Sequence, residues 1–262
     1  MLVHALDGHA DRGLMYAEVC FETFRVTDGA VFCWDAHMAR LRHGLAAFGL
    51  LLDDKMTASL HTACLKAAAR QGRDVLLRLT VTGGNAAWGI TPPAKRVLNA
   101  WIQAKPFDEV KHPLRLRAVN WPWPVKPRPA KFTSDYAETL RAMQMCRTGE
   151  GEAPLFCTGG RVLSTATANI LLCRDGAWWT PGSEMDGILP GVVRAALIRA
   201  GCVREAVCPV AWLRDCTAAA TVNSGSFIQP VAAVNGRKLA QHAALFQPLW
   251  QALQNREGVP CP

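Results

Sequence analysis

Long apolar runs are missing from these 262 residues. Leu45 to Leu52 is short, and Val162 to Cys173 is broken by polar residues; neither approaches the roughly 18 consecutive apolar residues that span a membrane. A leader-like apolar segment is also lacking at the start, where His4, Asp7, His9, Asp11 and Arg12 stand, so a cytoplasmic location is expected. Tyrosine occurs only twice and no RNA-binding aromatic motif is present. The net charge of +8 is spread, its densest groups being Arg40 with Arg42 and Lys126, Arg128 with Lys131. Nucleic acid and membrane are therefore not the expected partners, and an acidic small molecule carrying phosphate or carboxylate fits this charge. No two of the ten cysteines are spaced C-x-x-C, so free thiols packed as small hydrophobes are expected rather than a metal site or disulfide framework. The nucleophile-elbow, P-loop, zinc-protease and dinucleotide motifs are all absent.

What is present is a chain that can build a core: half its residues are apolar and 19% are charged, which excludes disorder, collagen and coiled coil. Val19 to Val26 predicts a strand, Asp28-Gly29 a hairpin turn, and Val31 to Trp34 the returning strand. Asp35 is expected to cap a helix running to about Leu51, and a second helix is expected over 55–71. Val75 to Thr82 and Arg96 to Ala104 read as strands. Prolines between Trp121 and Pro129 forbid helix and central strand. The expected organisation is α+β in two domains: a small one over 1–108, a proline-rich connection over 109–130 and a larger one over 131–262. In the latter, 134–148 and 191–201 read as helices, 154–157, 170–174, 207–210 and 217–222 as strands, and 244–254 as a C-terminal helix.

Several separated segments occur in a fixed order over about residues 11 to 236. They are Asp11-Arg-Gly-Leu-Met-Tyr16, Phe21-Glu-Thr-Phe-Arg-Val26, His37-Met-Ala-Arg-Leu41, Lys131-Phe-Thr-Ser-Asp-Tyr136, and Gly160 to Ile170. Thr180-Pro181 with Leu189-Pro-Gly-Val-Val-Arg194, and Asn223-Ser-Gly-Ser-Phe-Ile-Gln-Pro-Val231, complete the set. As an ordered set they resemble the fold-type IV pyridoxal-phosphate enzymes, which include branched-chain and D-amino acid aminotransferases and 4-amino-4-deoxychorismate lyase. The opening and the last segment are closer to the lyase subgroup.

This resemblance implies a D-amino acid aminotransferase-like architecture, a homodimer, pyridoxal 5'-phosphate as cofactor and a small amino compound as substrate. It makes Lys131 the lysine that bonds the cofactor aldehyde and later acts as base, which requires an amine of lowered pKa. Tyr136 would face the cofactor's phenolic oxygen. Arg40 would bind its phosphate through two parallel donors. The backbone of Val192 and Val193, at a helix start, would cradle the same phosphate with Ser224 and Gly225. Asn169 belongs to the third segment, and Tyr16 and Trp88 fall near the expected substrate mouth.

Two departures bear on the reaction. Where the family carries a glutamate five residues before the asparagine, which keeps the pyridine nitrogen protonated, this chain has Ser164. A hydroxyl can hydrogen-bond that nitrogen but cannot hold a proton on it, which favours elimination over transamination. In addition, Thr82-Gly-Gly84 and Trp88-Gly-Ile90 stand where the lyases carry arginines, and Ala17, Glu18 and Val19 alter the glycine-rich first motif. Three functions stay open: a lyase giving 4-aminobenzoate and pyruvate, an aminotransferase on the same fold, and a cofactor-free binding descendant.

Overall fold

The computed structural model describes residues 9–108, 113–146, 148–149, 151–184 and 186–257. His4, Asp7, Cys261 and the start of the expected connection at 109–112 lie outside the described residues. The chain divides into two compact units: residues 1–106 with 130–137, and residues 107–129 with 138–262. The stretch expected as a connection thus contributes a strand to the second unit, and the segment holding Lys131 folds with the first. No helix among the described residues is long and apolar enough to cross a membrane.

The first unit contains β1 (His9–Asp11), α1 (Arg12–Tyr16), β2 (Val19–Thr27), β3 (Ala30–Val31), α2 (Trp34–Ala46), α3 (Asp54–Ala69), β4 (Asp74–Thr82), β5 (Asn85–Ala87) and β6 (Asn99–Pro106). Four strands form an antiparallel sheet in the order β3-β2-β4-β6, and β1 pairs separately with β5. Alternation in β4 sends Val75, Leu77, Leu79 and Val81 into a core shared with Met38, Leu41 and Leu45 of α2 and Cys64 and Ala68 of α3. The hairpin at Asp28-Gly29 forms with both residues at positive φ, the backbone its twist requires.

Three boundaries differ from expectation. The returning strand is only two residues long, because Cys33 takes a left-handed conformation (φ 50°) and starts α2 at Trp34, ahead of Asp35. That helix ends at Ala46, well before Leu51, whose side chain is 78% exposed. The strand expected at 96–104 begins at Asn99 and runs to Pro106. The second helix keeps its expected place, with the Asp53 side chain accepting from the Met56 amide.

The second unit contains β7 (Leu114–Asn120), α4 (Asp135–Met145, entering from the first unit), β8 (Glu152–Thr158), β9 (Arg161–Thr165), β10 (Asn169–Arg174), β11 (Ala177–Pro181), α5 (Val192–Arg199), β12 (Val203–Ala206), α6 (Trp212–Asp215), β13 (Ala218–Asn223), β14 (Phe227–Val234), β15 (Arg237–Lys238) and α7 (Ala243–Glu257). Its sheet runs β12-β11-β10-β13-β14-β7-β8-β9, and β9 pairs back onto β10 through Ser164 and Asn169. Six strands therefore close into a ring around Leu116, Leu155, Val162, Ile170, Ala219 and Val231. The strand expected at 207–210 is instead β12 at 203–206, since the chain after Ala206 turns toward α6. The nine described cysteines are all free thiols.

Candidate active site

Lys131 reaches its place through the backbone. The Phe21 amide donates to the Lys131 carbonyl (3.0 Å), and Cys20 bridges Phe132. This lays residues 131–133 along the edge of β2 where Phe21 and Glu22 sit. The Lys131 ammonium lies 4.9 Å from the centre of the Phe21 ring, and the Arg78 guanidinium 3.7 Å from it. Tyr136 packs edge-on to the same ring at 5.3 Å. Phe21 is thus an apolar floor that holds two cations and an aromatic by its quadrupole and its bulk.

Burial, opposed by the pull of Glu22 and aided by the Arg40 and Arg78 charges, brings the Lys131 pKa down to about 8. This is the lowered amine that the sequence reading asks of Lys131.

Glu22 organises the other side of the strand. Its fully buried carboxylate accepts from Arg40 Nε (2.8 Å) and Nη2 (2.6 Å) and lies 2.7 Å from His37 Nδ1. Burial opposes ionisation of Glu22, but the charge of Arg40 and the hydrogen bonds from Arg40 and His37 outweigh it, bringing the pKa to about 2. Burial pushes the His37 pKa down, and the Arg40 and Lys131 charges add to this against the pull of Glu22. A neutral His37 then donates from Nδ1, and its Nε2 has no hydrogen-bond partner among the described residues. Arg40, expected as a phosphate ligand, is oriented by this carboxylate through the two parallel donors of its guanidinium.

Glu22, His37, Phe21 and Arg78 were not singled out from the sequence. A usable signal was there: Glu22 alternates with Cys20, Phe24 and Val26 on the inward face of a strand, a position that a carboxylate occupies only with partners. Arg78 likewise interrupts the leucines of β4. Among the described residues it has no carboxylate partner, and its Nε donates to Thr80 Oγ1 at 3.3 Å.

The second unit assembles a different set. At α5 the cap residue Gly191 offers no side chain, so the first amides, Val192 and Val193, have no side-chain cap. Asn169 holds the preceding turn: its Nδ2 donates to the Leu189 carbonyl (3.0 Å), and its Oδ1 lies 2.0 Å from where a Cβ on residue 191 would stand. Position 191 therefore has to be glycine. Gly191→Ala is expected to cost about 1–3 kcal/mol, read by urea unfolding, and to weaken phosphate binding; an unchanged midpoint would show that the turn relaxes freely.

Arg194 explains why Thr180-Pro181 accompanies this helix. Its guanidinium donates to Pro181 O (2.7 Å) and Thr180 Oγ1 (3.3 Å) and pairs with Glu205. Nearby in sequence to β13, Asn223 Oδ1 accepts from the amides of Gly225 and Ser226, both at 2.9 Å, so the Gly225 amide is already used within its own turn. Ser224 is buried beside it.

Ser164 lies at the closure of the strand ring, opposite Asn169, and lines a cavity of about 40 Å³ with Trp121, Arg128 and Asp186. The one carboxylate on that lining is committed, Asp186 accepting from Arg161 Nη1 (3.0 Å) and the Gly182 amide (3.1 Å). Of the two expected substrate residues, Tyr16 accepts through its hydroxyl from the Gly89 amide (3.0 Å), and Trp88 is 91% exposed.

The sequence profile of the family described as amino-transferase class IV matches residues 19–234. The chain belongs to that family. Class IV aminotransferases depend on pyridoxal phosphate, and this chain is an enzyme of the lyase or transaminase kind with the fold-type IV architecture. Among solved structures it is similar to a 4-amino-4-deoxychorismate lyase from Pseudomonas aeruginosa, 25% identical with a TM-score of 0.76, covering 97% of this chain and 96% of that one. A protein from Legionella pneumophila provisionally assigned the same activity is 25% identical, with a TM-score of 0.79 and 94% of each chain covered. A provisionally assigned branched-chain-amino-acid aminotransferase of Methanocaldococcus jannaschii is 28% identical over 196 residues, 72% of this chain and 67% of that protein. The residues present fit the cofactor of class IV aminotransferases: a lysine of lowered pKa on one unit, and an uncapped helix start braced by a buried asparagine on the other.

Proposed function

We propose that this class IV enzyme is a lyase of the 4-amino-4-deoxychorismate type, releasing pyruvate and leaving 4-aminobenzoate. The observation that carries the reading is Ser164, a hydroxyl on a wall whose carboxylate, Asp186, is already spent on Arg161. When bound, pyridoxal phosphate supplies the electron sink for the charge left at the substrate's α-carbon. Lys131 Nζ takes the α-proton, which its lowered pKa equips it to do near neutral pH. The C–O bond to the enolpyruvyl group then breaks and the ring becomes aromatic, which offsets a weak sink. Val192, Val193 and Ser224 hold the cofactor phosphate, and Glu22 orients the Arg40 guanidinium. Tyr136 holds the phenolic oxygen, and Arg78, lacking a carboxylate of its own, takes one from the substrate. The enzyme acts as a cytoplasmic homodimer.

The test is an absorbance spectrum with added pyridoxal phosphate before and after borohydride, mapping of the reduced adduct, and then incubation with 4-amino-4-deoxychorismate. Equimolar pyruvate and 4-aminobenzoate with the adduct on Lys131 are expected. The similarity to the M. jannaschii protein favours the second reading, an aminotransferase. Stoichiometric conversion of the cofactor to its pyridoxamine form by an amino acid, without pyruvate from the chorismate compound, would establish that reading instead. Absence of any adduct at saturating cofactor would leave the cofactor-free reading.

A further inference from the structure

Two helices of the first unit enclose a space that no step above uses. In α2, Trp34, Met38 and Arg42 fall at i, i+4 and i+8 and share one side; in α3, Asp54, Ala58 and His61 do the same at i, i+4 and i+7. The two rows meet at both ends. At one end the Trp34 and His61 rings lie 4.7 Å apart in an edge contact. At the other, Arg42 donates through Nε to the Leu52 carbonyl (3.1 Å) and through Nη2 to Asp54 Oδ1 (2.6 Å) and Thr57 Oγ1 (2.8 Å). Between these ends Met38, 1% exposed, and Ala58, with only a methyl group to offer, leave a cavity of about 410 Å³. That is the size of a small-molecule site and far more than a single water fills.

The lining selects the charge of an occupant. Asp54 and Arg42 cancel in their own pair, and three acceptors hold Arg42 away from any anion. Asp35, in the first turn of α2, is the other carboxylate of the lining, and among the described residues its side chain has no ion-pair partner. The cavity is thus a negative spot on a chain of net charge +8. Trp34 supplies a ring face that is already fixed, since its indole meets Phe24 edge-on at 5.6 Å as well as His61, and little side-chain freedom is left to lose on binding. A fixed indole and an unpaired carboxylate in one cavity attract an organic cation, the first through its quadrupole and the second through its charge. The lysine site lies across the sheet: Phe21, over which Lys131 sits, alternates along β2 with Cys20 and Phe24, whose side chains share a core with α2.

We propose that this cavity is a binding site for a small organic ammonium ion, separate from the site at Lys131, in which Asp35 supplies the countercharge and Trp34 the ring face. Phenyltrimethylammonium is the probe, because a quaternary nitrogen bears no N–H and forms no bond with an aldehyde. It is titrated by calorimetry against cofactor-loaded protein at low ionic strength, where an exposed charge is least screened. Asp35→Asn keeps the shape and removes the charge. Ala58→Leu fills the space with a good helix former, and Ala58→Gln carries that arm if the leucine variant does not fold.

One probe per chain is expected to bind with a millimolar dissociation constant, about tenfold more weakly in Asp35→Asn and not detectably in the position-58 variant, while the borohydride-reducible Lys131 adduct persists in both. No saturable binding by the unmodified protein would overturn the proposal. So would an affinity equal in all three proteins, which places the probe elsewhere, or weakening by the charge change alone, which places it on the surface. Weakening by the filling change alone would make the cavity an apolar hole and end the assignment to a cation. Absence of a Lys131 adduct from the unmodified protein would instead sink the functional reading, and the same titration on that protein still decides the site.

Discussion

Lys131→Ala protein is expected to form no borohydride-reducible bond with pyridoxal phosphate and to lose turnover by about 10⁴-fold, the upper range for removal of a general base. The expectation rests on the state of the amine. An ordinary lysine, at 10.5, would be neutral in about one molecule in three thousand at pH 7; with its pKa lowered to about 8, Lys131 is neutral in about one in ten. Burial over Phe21 is the largest cause, with Arg40 and Arg78 adding to it and Glu22 opposing. The rate at which the cofactor-free protein captures pyridoxal phosphate should accordingly rise through a midpoint near pH 8. Arg78→Ala removes a positive neighbour and should move that midpoint up. A midpoint near 10.5, or an adduct mapped to another lysine, would show that the amine beside Phe21 is not the reacting one.

The parts of this arrangement that were legible in the sequence are those in which local chemistry and tertiary structure agree. The Asp28-Gly29 turn, the helix expected over 55–71 and the strand expected over Val75 to Thr82 each specify their own backbone, and the structure keeps them. The ordered segments likewise pair a special side chain with a special backbone, as where Asn169 braces the turn before α5. Failures came where a distant group decides. Nothing local makes Cys33 left-handed, so α2 begins one residue before the aspartate that looked like its cap. Proline-rich neighbours hid β7, which is set by its parallel partners β14 and β8. Glu22 was passed over because its worth lies in His37 and Arg40, 15 and 18 residues away. The bond from the Gly89 amide to the Tyr16 hydroxyl was not legible either, because only the fold brings residues 16 and 89 together.

Ser164→Glu should change which reaction the enzyme prefers. The residue sits in β9 opposite Asn169, where the strand ring closes, so its backbone is fixed from both sides and a longer side chain enters the adjoining cavity of about 40 Å³ without moving the strand. That cavity holds about one water, which the longer side chain displaces. A carboxylate facing the pyridine nitrogen holds a proton there, which a hydroxyl cannot, and the ring then withdraws charge more strongly from the substrate's α-carbon. Transamination depends on that withdrawal throughout, whereas elimination draws part of its driving force from aromatisation of the product ring. The half-reaction of the variant with an amino acid is therefore expected to accelerate about a hundredfold, equivalent to about 2.7 kcal/mol at the barrier, while pyruvate release from 4-amino-4-deoxychorismate changes by far less. Stopped-flow measurement of the pyridoxamine form at fixed pH separates the two rates. Equal acceleration of both would mean that proton abstraction limits each reaction, and no acceleration of either would place residue 164 away from the nitrogen and remove the main ground for preferring the lyase.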